Sequence, residues 1–124
     1  MKKIFIFTLI VICFGCSSPE NFDEIQIRIS NVSGFNYENI VVNASGENIS
    51  FGNLNASTKS EYKTFILAYR YAYVEFQIDG ETYTIQPIDY VGEEPLKKGK
   101  YSYEINVNPN NQSQKVTLEL KNEY

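Results

Sequence analysis

The side chains able to do chemistry are few and fall in three places. The chain contains no His, so the general base of Ser-His-Asp and Cys-His catalysis is missing, as is the usual partner of Cys at zinc. Paired carboxylates are the remaining familiar catalytic device. Asp89 with Glu93 or Glu94, in the loop Asp89-Tyr90-Val91-Gly92-Glu93-Glu94-Pro95, offers an acid and a base of the kind glycosidases use. The same carboxylates suit Ca²⁺, although the segment lacks the regular Asp/Asn spacing and glycine of an EF-hand. Acidic residues in a loop with Gly and Pro are more often simply solvated, and the domain is expected to be noncatalytic. The second place is the row Tyr69, Tyr71 and Tyr73, with Arg70 beside it. Exposed tyrosines stack on sugar rings or anchor a partner protein, because the ring supplies apolar area while the hydroxyl hydrogen-bonds. Cross-strand packing, or cover by the loop at residues 89–98, accounts for the same row without a ligand. The third place is Cys16.

Cys16 closes an N-terminal segment with the pattern of a signal peptide. Lys2 and Lys3 precede an apolar run at residues 4–14, broken only by Thr8. As a helix rising about 1.5 Å per residue, the run covers roughly half of a ~30 Å hydrocarbon core, too little to remain as a span. The run ends in Cys13-Phe14-Gly15-Cys16-Ser17-Ser18, which resembles a bacterial lipobox: a small residue before a cysteine that is lipidated and becomes the new N-terminus. The pattern departs at Cys13, where lipoboxes usually carry Leu, and Cys13 itself follows the bulky Ile12. The resemblance implies a covalent diacylglycerol and an N-acyl chain on Cys16, with no other cofactor. At about 0.8 kcal/mol per buried methylene, three acyl chains make such an anchor effectively permanent. In the lipoproteins this resembles, Ser after the cysteine accompanies passage to the outer membrane, and Ser17 fits. Glu20, Asp23 and Glu24 are a diluted form of the acidic stretch that carries some of them onward, so both a periplasm-facing and a surface-exposed orientation stay open.

Removing residues 1–15 leaves 109 of the 124, and losing Lys2 and Lys3 moves the formal charge from −4 to −6. Residues 16–22 then form the lipidated cysteine and a short tether, and 23–124 a single acidic domain. That length buries enough surface for an independent core. No thiol remains for a disulfide, and the negative balance argues against nucleic acid, whose phosphates need Lys and Arg clusters.

Alternation with period two dominates the domain. Ile25, Ile27 and Ile29 predict a half-buried first strand. Further strands are expected at residues 35–43, 49–51 and 62–68, with 52–57 as loop. Asp79-Gly80 predicts a hairpin on a type I′ turn, with Phe76 opposite Tyr83 and Val74 opposite Ile85 on the core face. The same register places Tyr73 and Tyr71 on the outer face, opposite Gln86 and Ile88. Tyr101, Tyr103, Ile105 and Val107 then face inward, and Val116, Leu118 and Leu120 return in a final hairpin. Asn-x-Ser triplets begin at Asn31, Asn43, Asn48, Asn55 and Asn111; they are read as turn composition rather than glycosylation sites.

Seven to eight short strands with regular turn signals predict an all-β, two-layer antiparallel β-sandwich, with a closed barrel as the alternative. The Gly99-Lys100-Tyr101-Ser102-Tyr103-Glu104-Ile105-Asn106-Val107 run and the Asp79-Gly80 hairpin are similar to those of immunoglobulin-like or transthyretin-like sandwiches in small uncharacterised bacterial lipoproteins. That resemblance covers residues 24–121 and implies no common activity. Two functions follow as expectations. One is a noncatalytic envelope module that binds a protein or glycan partner; the other is a structural or assembly component of an envelope or fimbrial complex, joined by strand addition.

Overall fold

The structure is a computed structural model and describes residues 23–87 and 94–123. Among these residues eight strands form two four-stranded sheets. They are β1 (Ile25–Asn31), β2 (Tyr37–Ala44), β3 (Glu47–Leu54), β4 (Lys63–Phe65), β5 (Tyr73–Ile78), β6 (Glu81–Ile85), β7 (Gly99–Val107) and β8 (Val116–Asn122). One sheet has the order β4-β1-β7-β8 and the other β3-β2-β5-β6. No helix occurs among the described residues. The expected sandwich is therefore present, with one departure from uniform antiparallel pairing. β1 runs parallel to β7, with Ile27 opposite Tyr101 and Ile29 opposite Tyr103. Parallel neighbours need a long crossover, and the crossover here is the path through β2 to β6.

The period-two pattern explains the packing. Ile27, Ile29, Tyr103 and Ile105 of the first sheet and Tyr37, Ile40, Val42, Val74 and Phe76 of the second are fully buried between the layers. Tyr37 and Phe76 lie ring against ring at 4.3 Å, and the Tyr37 hydroxyl donates to the Ile105 carbonyl across the layers at 2.8 Å. Burial pushes that phenol up to about 12.

Two hairpins turn on residues with positive φ. Asp79 and Gly80 (φ 50° and 80°) join β5 to β6 in the expected register, Ile78 opposite Glu81, Phe76 opposite Tyr83 and Val74 opposite Ile85. Ser45 and Gly46 (54° and 84°) do the same between β2 and β3. The sequence-based turn at residues 43–48 thus narrows to two residues, and β3 grows to run from Glu47 to Leu54, taking in positions expected to be loop. Gly52 is what hides it: at φ 68° it sits in a bulge opposite Ile40, where the β2 register shifts and Asn39 also has positive φ. The strand expected at 62–68 shrinks to Lys63–Phe65, because the chain then leaves the first sheet, crosses one end of the sandwich and enters the second at Tyr73. Ala68 and Ala72, both buried, are small enough to pass under the core.

Asn31 closes the opposite end. It is 1% exposed; its Nδ2 donates to the carbonyls of Phe35, Leu54 and Asn55, and its Oδ1 accepts from the backbone and hydroxyl of Ser33. The other Asn-x-Ser positions are also bonded locally. Asn43 pairs with Asn48, and Asn111 accepts from Ser113 and Gln114.

Candidate functional site

Tyr69 and Tyr71 stand on the crossing between the sheets rather than on a strand, and Tyr73 is the first residue of β5. The expected outer-face row is therefore not a strand ladder; the pairings expected beyond Ile85, of Tyr73 with Gln86 and of Ala72 with Pro87, lie past the end of β6, and Ile88 lies outside the described residues. The backbone carbonyl of Tyr69 accepts the Tyr103 hydroxyl at 2.6 Å, which ties the crossing to the core.

The three tyrosines nonetheless converge. With Asn43, Ser45 and Gly46 of the β2–β3 hairpin they line a hollow of about 240 Å³. Tyr71, 43% exposed, also forms a wall of a second hollow of about 330 Å³, shared with Ile85, Gln86, Pro87, Gln114 and Leu118. No charged side chain among the described residues lines either hollow. Asn43, Gln86 and Gln114 each bring an amide, which both donates and accepts. The Tyr73 hydroxyl donates to Glu75 at 3.3 Å, and its phenol is raised by desolvation and then by that carboxylate. Tyr73 thus stays neutral at physiological pH and offers its ring.

Arg70 does not join the tyrosines. It lines a separate hollow with Glu94, Lys97 and Tyr101. Of the carboxylates considered for catalysis or Ca²⁺, Asp89 and Glu93 lie outside the described residues, and Glu94 is exposed. No group of three acidic, His or Cys side chains suited to a metal occurs among the described residues.

One polar cluster escaped the sequence reading. On the outer face of the first sheet, buried Ser102 donates to Glu123 in a very short hydrogen bond, and Arg28 bonds both, at 3.1 Å each. The Ser102 hydrogen bond, followed by Arg28, holds the Glu123 carboxyl below its ordinary value. A carboxylate so stabilised is a weak base, so the arrangement does not activate Ser102; it clasps the end of β8 to β1 and β7. The Tyr62 ring lies against Arg28 and Lys100, at 4.7 and 5.0 Å. Arg28 and Ser102 are register partners across the parallel pair, a pairing invisible until β1 is known to lie beside β7.

No protein-family model matches the chain, and no curated protein matches it significantly. Among solved structures, a protein from Eubacterium rectale determined by NMR is similar at a TM-score of 0.54 and 16% identity, over 81% of this chain and 88% of that one. At that identity the likeness is one of fold, and no activity passes with it.

Proposed function

We propose that this chain is a lipid-anchored protein of the outer membrane whose sandwich is a noncatalytic binding module, and that its partner is an uncharged glycan held against Tyr71. The observation that carries the reading is the pair of hollows flanking that ring. In a chain with 21% charged residues, two adjoining hollows whose lining among the described residues is aromatic, aliphatic and neutral polar favour a neutral ligand. A sugar presents an apolar face to a tyrosine ring and hydroxyls to Asn43, Gln86 and Gln114. The anchor rests on the lipobox-like Gly15-Cys16-Ser17.

The strand order supports a transthyretin-like rather than an immunoglobulin-like relationship. An immunoglobulin sheet pairs its first strand with its second, whereas here β1 and β2 lie in different sheets. The alternative role, assembly by strand addition, has weaker support because three of the four sheet edges are blunted, which leaves β6. β4 has three residues, β3 carries a bulge, and β8 bears the Glu119–Lys121 ion pair.

An array of neutral and acidic bacterial oligosaccharides, probed with the wild-type protein and Tyr71→Ala, tests the reading. Binding to neutral glycans that Tyr71→Ala loses supports it. Absence of glycan binding, or binding that Tyr71→Ala leaves unchanged, overturns it.

A further inference from the structure

The register places the start of the domain beside an exposed apolar corner. Ile25 is opposite both Phe65 and Gly99, and the Gly99 amide donates to the Glu24 carbonyl at 2.9 Å. Chain entry, the end of β4 and the approach to β7 therefore share one end of the sandwich. Ile66, the residue after β4, is 85% exposed there. The crossing it begins also lies at this end, held by the Leu96 amide on the Ala68 carbonyl at 2.8 Å. Arg70, Lys97 and Lys98 are exposed nearby and make no ion pair among the described residues. Glu24, which shares the end, is engaged by Gln26 and Thr64, while exposed Asp23 beside it and exposed Glu94, in the hollow with Arg70 and Lys97, are the acids that the cations outnumber by one.

Scattered exposed isoleucines are ordinary, so what matters is the position of this one. Six residues, 17–22, separate Cys16 from the domain, and fully extended they reach only roughly 20 Å. An anchor at Cys16 thus holds this end, and not the Asn31 end, within reach of the lipid.

We propose that the Ile66 end of the sandwich is a membrane-contacting face: Ile66 enters the interfacial region of the bilayer, and Arg70, Lys97 and Lys98 meet lipid phosphates. This inference rests on the anchor proposed above, and it adds that a glycan bound at Tyr71 is one carried close to the lipid surface.

Environment-sensitive labels test it on the full lipidated protein, reconstituted in vesicles of phosphatidylethanolamine with a minority of phosphatidylglycerol. One label is placed at Ile66→Cys and another at Asn110→Cys, in the β7–β8 turn at the far end. Nitroxide-bearing lipids are expected to quench the Ile66→Cys label several-fold more than the Asn110→Cys label, and Arg70→Glu with Lys97→Glu to reduce that difference. Equal, weak quenching of both labels on membrane-bound protein overturns this inference and leaves the anchor standing. A chain that carries no lipid on Cys16 overturns the anchor, and this inference with it.

Discussion

Replacing Asn31 with Asp changes one atom of the side chain and reverses that atom's hydrogen bonding. The Nδ2 group donates to the carbonyls of Phe35 at 2.7 Å, Asn55 at 3.2 Å and Leu54 at 3.3 Å. A carboxylate oxygen there faces three carbonyl oxygens with no proton to offer. The lost short bond is worth about 1 kcal/mol, and a buried carboxylate oxygen with no donor, beside one that Ser33 still bonds, adds about 2–3 kcal/mol, so Asn31→Asp should cost about 3–4 kcal/mol at neutral pH. For a domain of this size that lowers the melting temperature by about 15 °C or more. The chain has no Trp, so urea unfolding is best followed by circular dichroism. A carboxyl in that setting ionises at higher pH when folded than the ~3.9 of an unfolded Asp. The folded variant therefore keeps its proton longer than the unfolded one, and its deficit relative to wild type should shrink as pH falls through the raised value. A variant within about 0.5 kcal/mol of wild type at neutral pH, a range typical of surface changes, would refute the role given to Asn31.

Glu123 ionises below its ordinary 4.5, so the stability it contributes is present above that value and lost as pH falls through the lowered one; Glu123→Gln should flatten the acid limb of the unfolding curve. Gly80→Ala places a side chain at φ 80° with open space around it, and the backbone strain alone should cost about 1 kcal/mol, read as a lower urea midpoint with an unchanged slope. Tyr71→Ala removes a ring already 43% exposed and should shift stability by less than about 1 kcal/mol, which separates its effect on glycan binding from unfolding.

Much of the sandwich was legible because burial on one face writes period two into the residues. Alternation and one dipeptide place β1, β7, β8 and the Asp79-Gly80 hairpin, and their inward residues are buried except Tyr83, Ile85 and Leu120, which are half-buried against the core, while outward Ser30 and Ser102 are buried as well. Alternation says which side chains face in, but not which strands are neighbours. The parallel β1–β7 pair, and with it the Arg28–Ser102–Glu123 clasp, follows from tertiary packing. The second half of β3 is hidden in the sequence because Gly52, which its bulge requires, reads as a loop residue. At residues 62–68 the aromatic and β-branched types predict a strand, but after Phe65 the chain crosses to the other sheet. Residue type and a register continued beyond the Asp79-Gly80 hairpin pick out the tyrosines, while their meeting with the Ser45-Gly46 hairpin, and the separation of Arg70 from them, depend on that crossing.

Attachment through Cys16 underlies both the proposed location and the membrane-contacting end, and it is tested most directly by the intact mass of the N-terminal fragment from membrane-extracted protein. The account predicts a triacylated fragment beginning at Cys16, absent from Cys16→Ala. An unmodified terminus, at Cys16 or elsewhere, would contradict it, and partners would then have to be sought for a protein free in solution.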